Sequence, residues 1–311
     1  MRAFHRISHD APLARHSTPL RRASQAICTA ALAALTAASP AAQTVGDPAV
    51  DELVTRVGDR VVEWYARAQS IISLETVSIQ PLRSDLSPVD FPRRLAYELR
   101  VAWDPGSAEP GLLPEATVLR DLISVNGRTP RERDQPQCMD PKSVSPEPLA
   151  MLLPAKRGQF AFTVAGRTRV GGRPAVMLDY KGVAPGTPEI NWTRECVSVS
   201  LPGRSRGRIW VDAETYDVLR YDEHLVGQFD FPVPREHQRR GASTRMTIER
   251  ADSSIQFRRV KFTDPEEALM LPASIDTLQI VSGGGIQRTR ITQRFTDYRR
   301  FLTDGRLVAT P

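Results

Sequence analysis

The chain has 311 residues, 41% of them hydrophobic, with 42 Lys and Arg against 36 Asp and Glu, a formal charge of +6. Residues 1–41 hold five arginines and one acid, Asp10, so residues 42–311 carry 37 − 35 = +2. That balance excludes a nucleic-acid partner, because phosphate binding demands a clustered cationic excess.

Residues 1–41 have the make-up of an export signal. A long polar stretch ends in Arg21-Arg22, and an alanine-rich apolar run follows from Ala26 to Ala38. Ser39-Pro40-Ala41 then offers small residues at the cleavage positions. The run is shorter than the roughly 20 apolar residues that cross a bilayer, so no transmembrane segment is expected. Arg21-Arg22 leaves the general and twin-arginine routes both open. Cys28 lacks a small-residue lipidation box, which points away from a lipoprotein. The expectation is an exported protein, periplasmic or extracellular, whose mature part of about 270 residues forms a single β-rich domain over 42–311.

Pro48 to Ile72 reads as one long helix. Leu53, Val54, Val57, Val61, Trp64, Tyr65, Ala68 and Ile71 recur at helical spacing, with charged residues on the other face and Asp47 as N-cap. Leu95–Trp103 alternates, placing Leu95, Tyr97, Leu99, Val101 and Trp103 on one face of a strand. Val118–Val125 ends in Asn126-Gly127, a strong hairpin signal. Ser145–Leu153 fits a short helix with Ser145 as cap and Pro154 as stop. Phe160–Val164 and Ala175–Tyr180 are strands about a Gly171-Gly172 turn. Arg208–Asp212 and Val218–Asp222 form a hairpin broken at Asp212–Thr215, and Gln228–Thr244 reads as a flexible loop. Ile255–Phe262 changes phase at Arg258-Arg259, which suggests a bulge. Ile275–Val281 and Gln287–Phe295 flank Gly283-Gly284-Gly285 as a last hairpin.

Strands joined by tight turns pair antiparallel. Nine or ten of them, apolar on one face, predict a mainly β (α+β) fold: a large curved antiparallel sheet, or unclosed barrel, with the N-terminal helix on its concave face. The cysteines of the mature part, Cys138 and Cys196, suggest one disulfide in an oxidising compartment, the alternative being two buried thiols. The loop closed would be 196 − 138 = 58 residues, for roughly 4 kcal/mol of stabilisation.

The order helix, strands with an Asn-Gly hairpin, short helix near Leu149–Leu153, then Gly207-Arg-Ile-Trp-Val-Asp212 with Val218-Leu-Arg220 resembles a known family. It is similar to the periplasmic lipoprotein-localisation (Lol) carriers and the wider superfamily of outer-membrane lipoprotein-sorting-like proteins. The likeness runs diffusely over residues 48–301 and is sharp only at Gly207–Arg220. It implies an unclosed β-barrel with a helical lid and a hydrophobic cavity for acyl chains. For the carriers' gating arginine, Arg94 and Arg100 are the candidates by strand context.

Other chemistry is sparse. Gly203-Arg-Ser-Arg-Gly207 matches the serine-hydrolase pattern at Ser205, but a strand follows it where that motif needs a helix. His224 and His237 are the only histidines of the mature part and have no metal-ligand spacing, so no metal and no cofactor are expected. Asp212, Glu214, Asp222 and Glu223 fit turn acceptors and solvated strand ends. Arg235–Arg240 is a basic loop suited to anionic headgroups or a partner protein. The apolar face of Leu95, Tyr97, Leu99, Val101 and Trp103, with Ile209, Val211, Leu219 and Tyr221, is the candidate ligand surface. Such a face holds acyl chains at about 0.8 kcal/mol per buried methylene. The expected function is a non-enzymatic exported protein binding a lipid or lipidated segment. An envelope structural or interaction module with a self-filled core is the alternative, and a hydrolase using Ser205 the third. The expected partners are a lipid, acyl chain or lipoprotein, or, in the alternative, an envelope protein.

Overall fold

The computed structural model describes residues 48–300 except 69, 105–114, 135–136, 142–146, 194–195, 239–242, 264–265 and 284–286. The signal segment 1–41, the Asp47 cap, Ser145 and Gly284-Gly285 lie outside the described residues.

Helix α1 spans Pro48–Arg67 and buries Val50, Val54, Val57, Gly58, Val61 and Tyr65 along one stripe. It stops five residues before the expected Ile72. Ser70 takes φ 56°, and Ile71–Pro81 then switches to period two, forming strand β1 with alternate residues buried. Ile71 falls on the helical spacing by coincidence, and β-branched Ile71-Ile72 favour the strand.

The remaining strands are β2 (Arg93–Asp104), β3 (Glu115–Val125), β4 (Phe160–Val170), β5 (Arg173–Gly182), β6 (Glu189–Trp192), β7 (Val197–Ser200) and β8 (Ser205–Asp212). They continue with β9 (Val218–Leu225), β10 (Phe229–Pro232), β11 (Arg245–Thr263), β12 (Glu266–Ser282) and β13 (Gln287–Arg300). Asn126 and Gly127 take φ 49° and 79°, but their turn only closes Val125 onto Arg128 and starts no further strand. Glu147–Leu152 is a 3-10 turn, and Pro154 opens a further one-turn helix, α2 (Pro154–Arg157), where a stop was expected. Proline lacks only an N–H that the first helical turn leaves unpaired, so it starts helices as well as ending them.

Eleven strands form one antiparallel sheet in the order β3-β2-β1-β13-β12-β11-β9-β8-β5-β4, with β10 pairing β11 off this path. β3 and β4 are free edges, so the barrel is unclosed, as expected. β6 and β7 form a separate ribbon. The bulge expected at Arg258-Arg259 sits two residues earlier: Gln256 faces Ser274 and Phe257 faces Pro272, leaving Ala273 of β12 as the extra residue. Pro272 cannot donate to a ladder, so its strand is the one that breaks register. Further register shifts fall in the pairs β1–β13, β2–β3, β4–β5 and β8–β9. Each adds local twist, and a sheet this wide curls.

The main core lies between the concave face and α1. It joins Val54, Val57, Val61 and Tyr65 to Leu99, Leu178, Ile209, Tyr221, Ile255 and Phe295. Leu149 to Leu153 fill the same layer, none more than 5% exposed. Gly58 lets the two covers meet: a Cβ there would stand 2.6 Å from the Leu152 carbonyl oxygen. The connection between edge strand β3 and edge strand β4 contributes Leu149–Leu153 to the core over the concave face. Cys138 in that connection is bonded to Cys196 in the β6–β7 turn, with Cα atoms 5.4 Å apart.

Candidate functional site

The predicted ligand face is brought together in part. Leu99, Ile209, Val211 and Tyr221 are buried in the main core, and half-buried Val101 packs against it. Leu95 and Tyr97 belong to a neighbouring cluster with Val77, Ile79, Val125 and Ile291. Leu219 turns to the opposite face, beside Ala175 and Met270. The cause is a register shift: Trp210 faces Arg220 and Val211 faces Val218, leaving Leu219 as the extra residue. The side chain of Trp103 is outside the described residues. The covers α1 and Leu149–Leu153 occupy the concavity over these side chains. Two surface depressions lie elsewhere. One of about 760 Å³ is lined by Phe91–Arg94 and Asn126-Gly127. The other, about 340 Å³, is bordered by Thr76, Ser78, Arg94, Ala96, Ser124 and Arg294.

A polar seam interrupts this apolar wall where β1, β2, β3 and β13 meet. Glu75 is fully buried. Arg120 donates to it through Nε at 2.6 Å and Nη2 at 3.1 Å, and the Gln293 amide donates at 2.6 Å. Arg120 also reaches across to the cover, donating from Nη1 to the Pro141 carbonyl at 2.7 Å. Its guanidinium lies 5.8 Å from the Tyr97 ring centroid. Burial, then the nearby Asp140 charge, pushes the Tyr97 phenol up to about 12. Next to it Arg93, first residue of β2, holds buried Asp140 at 3.0 Å. Arg94 and Arg100 are exposed on the outer face, and Arg100 pairs with Glu98 at 2.5 Å. Alternation decides this, since Arg94 and Arg100 are out of phase with inward Leu95 and Leu99. Arg120 and Arg93 point inward instead, and sequence reasoning missed both. The signal is Glu75 at an inward position of Ile71-Ile-Ser-Leu-Glu-Thr-Val77, hidden because the helical reading takes in Ile71-Ile72 and leaves Ser73–Val77 without an element.

A second polar group sits near the other side of the concavity. The rings of Tyr180 and Tyr221 stack at 5.7 Å, Tyr180 Oη donates to Tyr221 Oη at 2.8 Å, and Tyr221 donates to Glu223. Burial first, then the Glu223 charge, raises both phenols well above the usual tyrosine range. Gly207 makes room for this: a Cβ would stand 2.8 Å from Tyr180 Oη and 1.9 Å from the Asp222 carbonyl. Glu223, expected at a solvated strand end, is thus the acceptor that ends this tyrosine relay. Asp222 pairs with Arg220 and accepts from Ser254, and Asp212 Oδ1 accepts from the backbone of Glu214 and Thr215 to close the hairpin turn.

Ser205 is the first residue of β8, within a strand and not at a strand-to-helix turn. His224 meets Asp252 at 3.0 Å, and the His237 ring stacks on Trp192 at 4.9 Å. Among the described residues no group of three or more His, Cys, Asp or Glu is placed to hold a metal ion. No described helix is long and apolar enough to cross a membrane. Within 228–244, Phe229–Pro232 pairs with β11 and Arg235–His237 forms a 3-10 turn, while Arg239 and Arg240 lie outside the described residues.

No family model matches the sequence, and no curated protein matches it. Solved structures do. A LolA superfamily protein from Nitrosomonas europaea is 10% identical, with 82% of this chain and 96% of that chain covered and a TM-score of 0.30. A DUF1329 family protein from Desulfovibrio piger is 11% identical, with 84% and 94% covered and a TM-score of 0.35. A putative outer membrane lipoprotein-sorting protein domain from Vibrio parahaemolyticus is 10% identical, with 79% and 93% covered and a TM-score of 0.29. The first and third of these carry the superfamily names that the residue pattern resembles. With TM-scores below 0.5, the likeness carries no argument about ligand or role.

Proposed function

We propose that this chain is a non-enzymatic, exported binding protein that holds a lipid or a lipidated segment against the concave face of its sheet. One observation carries the reading. Among the described residues, the apolar concave wall of a wide sheet is covered by helix α1 and the short segment Leu149–Leu153. Such a cover is held by few main-chain bonds, so it can move aside while the sheet keeps its own ladder. An acyl chain then replaces the cover's side chains at about 0.8 kcal/mol per buried methylene. The Cys138–Cys196 bond supports export to an oxidising compartment.

The test is native mass spectrometry of the protein purified from its own host. The expected result is an adduct of lipid mass that organic extraction removes; a bare polypeptide mass throughout would end this reading. A second reading, an envelope interaction module with a self-filled core, is favoured by one fact. Leu99, Ile209, Val211 and Tyr221 are already buried by the chain itself. A bare mass together with a cross-linked envelope partner would establish it.

A further inference from the structure

The disulfide joins parts of the fold that the sheet keeps far apart. The β6–β7 ribbon leaves β5 at Gly182 and returns into β8 at Ser205, and its turn carries Cys196. Cys138 lies two residues from Asp140, which is held by Arg93 at the start of β2. In sheet order β2 and β8 are separated by five strands, β1, β13, β12, β11 and β9. Laid flat, they would stand roughly 29 Å apart, six spacings of about 4.8 Å. The bond therefore ties one wall of the curled sheet to the opposite wall, through a two-stranded ribbon. The same loop leads on to the cover: Pro141 is held by Arg120, and Leu149–Leu153 fill the concavity. Cys138 is exposed and Cys196 half-buried, so Cys138 is the more accessible end of the bond.

We propose that Cys138–Cys196 is a redox clasp: reducing it releases the β6–β7 ribbon and the Leu149–Leu153 cover and opens the concave face. This deepens the binding reading above and rests on it for the nature of the occupant. The reductant is a dithiol. One of its thiolates attacks Cys138 Sγ, forming a mixed disulfide and expelling Cys196 as thiolate, which takes up a proton. Its second thiol displaces Cys138, so the dithiol leaves as a disulfide and the chain gains two thiols.

The experiment compares the full chain oxidised, reduced with dithiothreitol, and as Cys138→Ser/Cys196→Ser. Hydrogen exchange read by mass spectrometry should rise at Leu149–Leu153 and in β6 and β7, with β1, β11, β12 and β13 unchanged. Uptake of a pyrene-labelled fatty acid should become at least 10-fold faster in both opened forms. Exchange rising across the whole sheet, or uptake within twofold of the oxidised chain, would mean that the bond is a staple and not a clasp. Should the probe bind no form, the lipid reading falls and exchange alone decides the clasp. Should the double variant not fold, the reduced wild-type chain carries the same comparison.

Discussion

Glu75 marks the point where the concave wall turns from apolar to charged. A carboxylate with no solvent exposure is tolerable only because Arg120 and Gln293 complete its hydrogen bonds. Breaking one side leaves an unpaired buried charge, so Arg120→Leu should lower stability by about 3–5 kcal/mol in urea titration. The double variant Glu75→Leu/Arg120→Leu should lose less than the single one. Equal losses would mean that the guanidinium matters through the Pro141 carbonyl instead. The tyrosines give a pH test. Tyr97, Tyr180, Tyr221 and Tyr298 are all held above the ordinary phenol value of 10.0, mainly by burial. A raised folded value favours folding below about pH 10, and that contribution is lost as pH climbs toward about 12 for Tyr97. The urea midpoint should therefore fall between pH 10 and 12, and Tyr97→Phe should flatten that fall. An unchanged slope in the variant would place the titrating group elsewhere. Sequence patterning reached the apolar members of this site but not its charged ones. Alternation marks an inward position whatever residue fills it, yet burial of a charge depends on partners about 45 and 218 positions away.

At the scale of elements, what was legible followed from period and punctuation. The α1 stripe as far as Tyr65, the β2 alternation and the β8–β9 hairpin stand where their patterns placed them. β1 was lost to an accident of spacing at Ile71, and four-residue strands such as β6, β7 and β10 are too short to show a period. Leu219 failed because one unpaired residue moves a side chain to the other face. The junction between α1 and the cover rests on Gly58, which no pattern predicts, since glycine in a helix usually lowers its stability by about 1 kcal/mol relative to alanine. Here Gly58→Ala should destabilise in spite of the helix gain, because its Cβ would meet the Leu152 carbonyl oxygen at 2.6 Å. Faster exchange at 149–153 in the variant is the expected signature. A more stable protein with unchanged exchange there would show that α1 can shift without disturbing the cover.

For the whole molecule, the question is whether the concave core is a fixed centre or a covered surface. The two differ in cooperativity. In a fixed core, Leu149–Leu153 and the sheet are one unit, and a charge placed there should unfold everything. Over a covered surface, the β1–β13, β11–β12 and β12–β13 ladders hold without them. Leu152 is the most telling position, being wholly buried and touching α1 through Gly58. Leu152→Asp buries a charge with no partner of its own, so the segment must leave the concavity to hydrate it. The expected outcome is a far-ultraviolet circular dichroism spectrum that keeps its strand signal, together with strong binding of an apolar dye to the bared wall. Loss of the strand signal at the same temperature would make the segment part of the sheet's own core. The envelope-module reading would then take the place of the carrier reading, because a wall that cannot be bared cannot admit an acyl chain.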